Sequence, residues 1–287
     1  MNIVEHLQQT HEFASLPTVA ARLLSMLEDD QIDIRTIAQF VEQDVAIAAK
    51  VIRVANSPIF GLRVPVASIS QAIMTIGLNR VSNIVLGVSI YSKFILLRTL
   101  AGDYLQKFWM HSAVAATLAR SLARYVRCDF QELEFLTALV HDIGKLAMLQ
   151  LDPERFGLVH QAIDAGIDEL ESERQYFDAA HTEVGEVIAN LWKLPPQVQV
   201  AIKLHHENQL HNDELSPLLS VVRVADLAAE SYGFTSGEKI DKPIHETIHW
   251  KKLESISPQP FDPEQIDVIF QNDIASAHTL IEALTIN

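Results

Sequence analysis

The sequence predicts an all-α protein, and both its composition and its helix-start signals indicate this. The 287 residues include only 10 Gly and 11 Pro, too few for a turn-rich β architecture. Residues that begin or cap helices recur at short intervals between apolar stretches. Because 48% of the residues are hydrophobic, the chain is long enough to fold around a core of its own.

The first hundred residues have the pattern of a string of short helices. Helices are predicted to start at residues typical of helix N-termini: Pro17, Asp33, Asp44, Ser68 and Asn79. Ser68 and Gln71 have the spacing of a capping box, and the helix that they begin is expected to end near Gly77. Short helices also occur in helix-turn-helix DNA readers, but no basic recognition helix is present here. A helical bundle that docks on something else is the better interpretation.

Residues 133–151 are apolar on nearly every side and predict one buried helix. His141 and Asp142 lie side by side within it. An ionised carboxylate in a dry core costs several kcal/mol unless a positive group meets it, and an imidazole can share a cation with it. Gly144 indicates a close approach to the backbone, because Gly inside a helix costs roughly 1 kcal/mol relative to Ala. The pair predicts either a metal site or a buried His–Asp hydrogen bond that only holds helices together.

Helical periodicity places further polar side chains on the inward faces of other predicted helices. His111, His181 and Asp226 each continue an apolar stripe, and at least one of His205 and His206 does so as well. A single inward histidine is usually a satisfied core residue. Five helices that each present a His or an Asp inward are better explained by one shared metal centre, which would satisfy all of these groups.

Charge is distributed unevenly along the chain. Residues 1–100 carry equal numbers of basic and acidic side chains, so the formal charge of −15 falls entirely within residues 101–287. Phosphate neutralisation needs clustered Lys and Arg, so we expect no nucleic acid as a partner. The single cysteine, Cys128, fits a reducing compartment. No secretory signal is recognisable, and the longest apolar stretch, Ile84 to Leu97, is too short to span a bilayer. We therefore expect a cytoplasmic protein that does not bind membranes.

A second metal motif competes with this interpretation. His245-Glu246-Thr247-Ile248-His249 fits the His-Glu-x-x-His pattern, which in a zinc peptidase places two ligands and a general base on one helical face. Pro243 supplies a helix start. Trp250-Lys251-Lys252 follows directly, however, and no third ligand lies in a convincing context. The motif is retained as an alternative metal site.

Three segments of the N-terminal half resemble the HDOD family, which comprises bacterial signalling domains related to HD metal-dependent phosphohydrolases. The resemblance runs from about His11 to His206, and its Ala-Asn-Ser and Ile-Gly-Leu parts are fairly specific. The segments are Leu16-Pro17-Thr18-Val19-Ala20, the stretch from Asp44 to Ala55-Asn56-Ser57, and the stretch from Ile69 to Ile76-Gly77-Leu78. The resemblance implies an N-terminal helical bundle, residues 1–103, packed on an HD-like helical core, residues 104–232. Residues 233–287 are expected to form a C-terminal helical extension.

The resemblance also implies how the metal ligands would be shared. His111, His141, Asp142 and Asp226 would hold one metal ion, and Asp142 would bridge to a second ion held by His181 and by His205 or His206. Lys145 would contact the phosphate or the leaving oxygen, so Asp142 and Lys145 are the candidate catalytic residues; a solvated lysine at a helix end is the alternative. Imidazole and carboxylate donors together favour Fe, Mn or Ni over Zn or Mg, and we expect one or two divalent ions per chain.

The expected function is that of a bacterial signal-transduction protein that hydrolyses a phosphoester with metal ions. A phosphate-containing small molecule or nucleotide and a signalling protein are the expected partners. His205-His206-Glu207 is similar to the subgroup that hydrolyses cyclic dinucleotides, but that subgroup continues into Gly-Tyr-Pro, whereas this chain continues into Asn208-Gln209-Leu210. Many members of the family have lost their metal ligands, so a catalytically inactive module for protein interaction or nucleotide sensing is the alternative.

Overall fold

The computed structural model describes residues 3–9, 15–29, 31–97, 102–210, 215–235, 237, 238, 240 and 242–285. Within these residues the regular structure is helical and contains no β-strand, which confirms the all-α prediction. In the same ranges no helix combines the length and the apolar character needed to cross a membrane.

The described helices follow one another with short connections. The N-terminal helices are α1 (Ile3–Gln9), α2 (Thr18–Leu27), α3 (Ile34–Gln43), α4 (Val45–Ala55), α5 (Ile69–Ile76) and α6 (Leu78–Phe94). The central helices are α7 (Asp103–Tyr125), α8 (Leu133–Val140), α9 (Ile143–Leu151), α10 (Pro153–Asp164), α11 (Glu169–Phe177), α12 (His181–Leu191), α13 (Pro196–Leu204) and α14 (Ser216–Ser231). The last helices are α15 (Ile248–Ile256) and α16 (Pro263–Thr285), and single 3₁₀ turns lie at Pro58–Phe60, Ile95–Leu97 and Ile244–Glu246.

Most of the predicted N-terminal caps are present. The side chain of Asp33 accepts a hydrogen bond from the backbone N–H of Arg35 at the start of α3, and Asp44 caps α4 in the same manner. Ser68 caps α5 through the N–H of Gln71, while the Gln71 side chain accepts from the N–H of Ala67, one residue before the cap. The helix expected from Asn79 begins one residue earlier, at Leu78.

The prediction of one continuous helix over residues 133–151 is wrong. The chain forms α8 and α9, and His141 and Asp142 lie at the break between them. Consecutive side chains on a helix diverge by about 100°, so an unbroken helix could not direct both residues into one centre. A Cβ built on Gly144 would lie 2.0 Å from the His181 carbonyl oxygen. Glycine at this position therefore lets α9 approach α12 closely enough to bring His181 to the break.

Helix α7 is the central element of the fold. It packs against α8, α14 and α16, and α9 packs against α12, which in turn packs against α13. The C-terminal helix α16 also contacts α4, and the Arg53 side chain donates a hydrogen bond to the carbonyl of Ala283. The segments that carry the other candidate ligands therefore pack against α7, which carries His111, or against α9 and α12.

Candidate metal centre

The first group of donor atoms brings together His111 from α7, His141 from the break between α8 and α9, and Asp226 from α14. The Oδ1 atom of Asp226 lies 3.1 Å from His111 Nε2 and 3.4 Å from His141 Nε2. The two Nε2 atoms are 3.4 Å apart. All three side chains are buried. We call His111, His141 and Asp226 the first trio.

The second group consists of Asp142, His181 at the start of α12, and His205 directly after α13. The Oδ1 atom of Asp142 lies 3.1 Å from His181 Nε2 and 3.4 Å from His205 Nε2. The two Nε2 atoms are 3.3 Å apart. Asp142, His181 and His205 form the second trio, and they are as deeply buried as the first.

The Asp142 carboxylate connects the two trios. Its Oδ1 atom belongs to the second trio, while its Oδ2 atom lies 3.5 Å from His141 Nε2 in the first. A carboxylate in this position has one oxygen available to each group. The arrangement agrees with the bridging role that the family resemblance implies for Asp142.

The spacing within each trio suits a metal ion. Ligand atoms that lie about 2.1 Å from a metal are about 3.0 Å apart in octahedral geometry and about 3.4 Å apart in tetrahedral geometry. The distances within the trios run from 3.1 to 3.4 Å. In addition, Asp142 Oδ1 is buried and makes no hydrogen bond of good geometry among the described residues, and the atoms nearest to it are the Nε2 atoms of His181 and His205. A buried carboxylate oxygen without a donor is costly unless a cation meets it.

The hydrogen bonds made by the Nδ1 atoms of the histidines also support a metal site. The Nδ1–H groups of three histidines donate to backbone carbonyls: His111 to Phe234 at 2.7 Å, His141 to Ala138 at 2.8 Å, and His205 to Ile202 at 2.8 Å. His181 donates instead to the Glu173 carboxylate at 2.8 Å. An imidazole that donates from Nδ1 presents the lone pair of Nε2 to the centre, which is the usual arrangement around a protein-bound metal.

Electrostatics favours positive charge at both trios. Burial lowers the pKa of His111, but Asp226 outweighs burial and raises the pKa to about 9. Burial also lowers the pKa of His181, but the Glu173 carboxylate outweighs burial and raises the pKa to about 10. Burial and the neighbouring His206 hold the pKa of His205 well below its usual value, which keeps that ring neutral and able to act as a ligand. Metal ions would supply the charge that these pairs of carboxylates and imidazoles favour.

Lys145 is buried beside the second trio. Its Nζ atom lies 2.8 Å from Asp142 Oδ2 and 2.8 Å from Glu169 Oε1, and the residue is 2% exposed. The alternative of a solvated lysine at a helix end is therefore wrong. Burial lowers the pKa of Lys145, but Asp142 and Glu169 outweigh it and hold the pKa well above the usual value. The ammonium group orients Asp142, so that Oδ1 remains free for His181 and His205.

His206 lies at the edge of the second trio. Its side chain is 10% exposed, and its Nδ1 atom lies 3.6 Å from Glu238 Oε1. It still offers a possible ligand atom near those of Asp142, His181 and His205. The sequence left open which of His205 and His206 faces the centre, and the structure places the Nε2 atom of His205 within the trio.

The alternative His-Glu-x-x-His motif does not form one helical face. His245 and Glu246 belong to a 3₁₀ turn, and Thr247 then caps α15, on which His249 lies. The ring of His249 is buried between the hydroxyl of Ser220, 3.2 Å away, and the carbonyl of Glu207, 3.0 Å away. His245 is exposed. The zinc-peptidase alternative therefore loses its geometric basis.

The family is identified by comparison with known sequences. The sequence model of the HDOD domain matches residues 13–208. The chain belongs to the HDOD family. This HDOD protein is 23% identical over 237 residues to an uncharacterized protein of Treponema pallidum (strain Nichols); the match covers 79% of this chain and 43% of the Treponema protein. The chain therefore spans less than half the length of that relative.

Two solved structures share the fold of this HDOD protein. An HDOD domain protein of unknown function from Geobacter sulfurreducens is similar with a TM-score of 0.81 at 22% identity, over 99% of this chain and 98% of that one. A protein of Shewanella amazonensis SB2B, named as a proposed metal-dependent phosphohydrolase, is similar with a TM-score of 0.69 at 20% identity, over 94% and 91% of the two chains. At these identities the likeness establishes the all-α fold alone.

Sequence reasoning did not identify several residues that support the centre. Glu173 holds His181, Glu169 holds Lys145, and Arg223 donates to Asp226 Oδ2 at 2.8 Å and to Glu238. Acidic residues are common on exposed helix faces, so neither glutamate stands out before its partner is known. Arg223 could have been suspected, because it precedes Asp226 by three residues on an apolar helix and both are buried.

We expect Glu173→Gln to lower metal affinity about 10- to 100-fold, because the amide keeps the shape of the side chain but removes the charge that polarises His181. Competition with a chelator, read by elemental analysis of the protein, measures this. Glu171→Gln, on an exposed position of the same helix, is the matched control and should leave affinity unchanged. Equal affinities for the two variants would show that Glu173 does not support the second trio.

Proposed function

We propose that this HDOD protein is a metal-dependent phosphohydrolase, with both trios as ligands and His206 at the edge of the second. The observation that supports the proposal best is the Asp142 carboxylate, which presents one oxygen to each trio. Mixed imidazole and carboxylate donors favour Fe, Mn or Ni over Zn or Mg. The name of the Shewanella amazonensis protein, which has the same fold, agrees with this class of reaction.

Divalent ions at this centre would supply Lewis-acid polarisation of a phosphoryl oxygen and lower the pKa of water. The chain itself would hold the ions in place. The histidines keep their lone pairs directed inward through their Nδ1 hydrogen bonds, and Lys145 orients Asp142. In this proposal Lys145 also donates a hydrogen bond to the phosphate or to the leaving oxygen. The same ammonium group is paired with the Glu169 carboxylate in the closed conformation.

The centre is closed to solvent in this conformation. Residues after α14 cover it: the carbonyl of Phe234 accepts from His111, and Glu238 pairs with Arg223 and lies beside His206. The backbone at Gly237 passes directly over Glu169, since a Cβ built there would lie 2.6 Å from Glu169 Oε1. Hydrolysis requires these residues to move aside. The closed centre supports the alternative function as well, namely a regulatory module in which the metal is structural.

Metal analysis followed by activity assays separates the two functions. The purified protein is loaded with Mn, Ni or Fe and tested on a phosphomonoester, on linear dinucleotides and on cyclic dinucleotides. Metal-dependent release of phosphate or of a nucleoside monophosphate, or conversion of a cyclic dinucleotide into its linear form, would support the phosphohydrolase. Stoichiometric metal without turnover on any of these substrates would reject it and leave the module. A bacterial cytoplasmic location and a signalling protein as partner are parts of either proposal.

We expect Glu238→Ala to speed the removal of metal by a chelator at least about threefold, because the Arg223–Glu238 pair holds the covering residues over the centre. The rate of metal loss is measured by stopped-flow mixing with a chromogenic chelator. Glu186→Ala, which removes only the surface ion pair with Lys203, is the control. Identical rates for the two variants would mean that these residues do not limit access.

A further inference from the structure

A second polar cavity lies away from the metal centre, where α6, the end of α7 and the start of α8 meet. Its volume is about 390 Å³, within the range of cavities that hold small molecules. Four arginines and three acids dominate its lining: Arg80, Arg120, Arg124, Arg127, Asp129, Glu132 and Glu134. The cavity adjoins α7 and α8 at the ends opposite to His111 and His141. It shares no residue with either trio.

Two of the arginines have no counter-charge among the described residues. Arg120 pairs with Glu132 through two hydrogen bonds of 2.6 and 3.0 Å, and Arg80 pairs with Asp129 at 2.9 Å. In contrast, no carboxylate among the described residues lies within ion-pair distance of Arg124 or Arg127. This is notable because residues 101–287 carry the whole net charge of −15. A patch of unneutralised guanidinium groups in such a chain favours an anionic ligand.

Glu134 is the decisive side chain of this cavity. It is 5% exposed, and its Oε2 atom has no hydrogen-bond partner among the described residues. Burial, with the nearby charge of Glu132, raises its pKa to about 8, so the carboxyl group carries a proton at neutral pH. A protonated carboxyl group is a donor, and an anionic oxygen is the acceptor that it would meet most favourably.

The backbone around the cavity is held in an uncommon conformation. Arg127, Gln131 and Glu132 have φ values of 54°, 55° and 66°, in the left-handed region that residues other than glycine seldom adopt. Three such residues within one connection are unusual. At Arg127 this conformation closes the end of α7, where the N–H of Cys128 donates to the carbonyl of Ala123.

We propose that this cavity binds the phosphate group of a small phosphorylated molecule, with Arg124, Arg127 and the buried, unpartnered Oε2 atom of Glu134 as its contacts. Arginine forms paired hydrogen bonds with phosphate oxygens, and a tetrahedral phosphate accepts from several directions at once. The proposal concerns binding and does not depend on whether the metal centre turns over a substrate.

Calorimetric titration of the metal-loaded protein with inorganic pyrophosphate tests the site. We expect Arg124→Ala combined with Arg127→Ala to weaken binding at least about tenfold, since two charge-assisted hydrogen bonds are lost. Glu134→Gln, which keeps a neutral donor, should remain within about threefold of the wild type, whereas Glu134→Ala should bind more weakly than Glu134→Gln. Both arginines are exposed, so the double variant is expected to fold normally.

Arg63→Ala is the matched control, because Arg63 is exposed and does not line the cavity. It should bind pyrophosphate as the wild type does. If the wild type does not bind pyrophosphate, the proposal is wrong. It is equally wrong if the double arginine variant binds with unchanged affinity, since the anion would then occupy another site, such as the metal ions themselves.

Discussion

Asp142→Asn is expected to abolish metal binding at the second trio and to remove any turnover. Lys145 donates to Oδ2, so the amide oxygen will take that position and the amide NH₂ will face His181 and His205. An NH₂ group has no lone pair for a metal and will instead donate to the Nε2 atoms. We expect the total metal content to fall by at least about half. Elemental analysis after dialysis measures this, and activity assays follow on the same samples.

His245→Ala is the control for this experiment. It removes a histidine from the alternative motif at an exposed position, so the metal content should equal that of the wild type. The opposite pattern, with metal lost in His245→Ala and retained in Asp142→Asn, would contradict the assignment of the centre and return support to the peptidase alternative.

Lys145→Met is expected to destabilise the protein by about 3–5 kcal/mol, because it leaves the buried Asp142 carboxylate without the ammonium group that neutralises it. Methionine approximates the length of the lysine side chain and limits the loss of packing. Urea unfolding followed by circular dichroism, with a chelator present throughout, measures the free energy of unfolding. The chelator prevents a metal ion from compensating for the missing charge.

The comparison with a surface lysine makes the prediction specific. Lys203 also forms an ion pair, with Glu186 at 2.9 Å, but its side chain is 50% exposed. Lys203→Met should therefore cost less than about 1 kcal/mol. If Lys145→Met costs no more than Lys203→Met, the ammonium of Lys145 does not neutralise Asp142 in solution.

Residue patterns within single helices were sufficient to predict much of the helical framework. Asp33, Asp44 and Ser68 were recognisable as caps because a cap is a contact between residues two or three apart. The inward position of His111, His181 and Asp226 was also predictable, since periodicity decides which face of a helix a side chain occupies. The resemblance to the HDOD family added the expectation that these faces meet.

The error at residues 133–151 shows where local pattern fails. A run that is apolar on every side does not reveal a break, because both halves are buried in either case. The break arises where α9 approaches the backbone of α12 at Gly144, a contact between segments distant in the sequence. Its consequence is central to the site, because it allows His141 and Asp142 to face one centre together.

The sequence by itself determined that the protein is all-α and that His111, His181 and Asp226 face its interior, because both depend on the order of residues within single helices. Tertiary structure decided the rest: that Lys145 lies between two carboxylates, that His205 rather than His206 enters the trio, and that Glu173 and Phe234 hold their histidines. These are contacts between helices. The partner of a buried charge depends on how helices pack in space. No periodicity along a single helix encodes the distance between side chains on different helices.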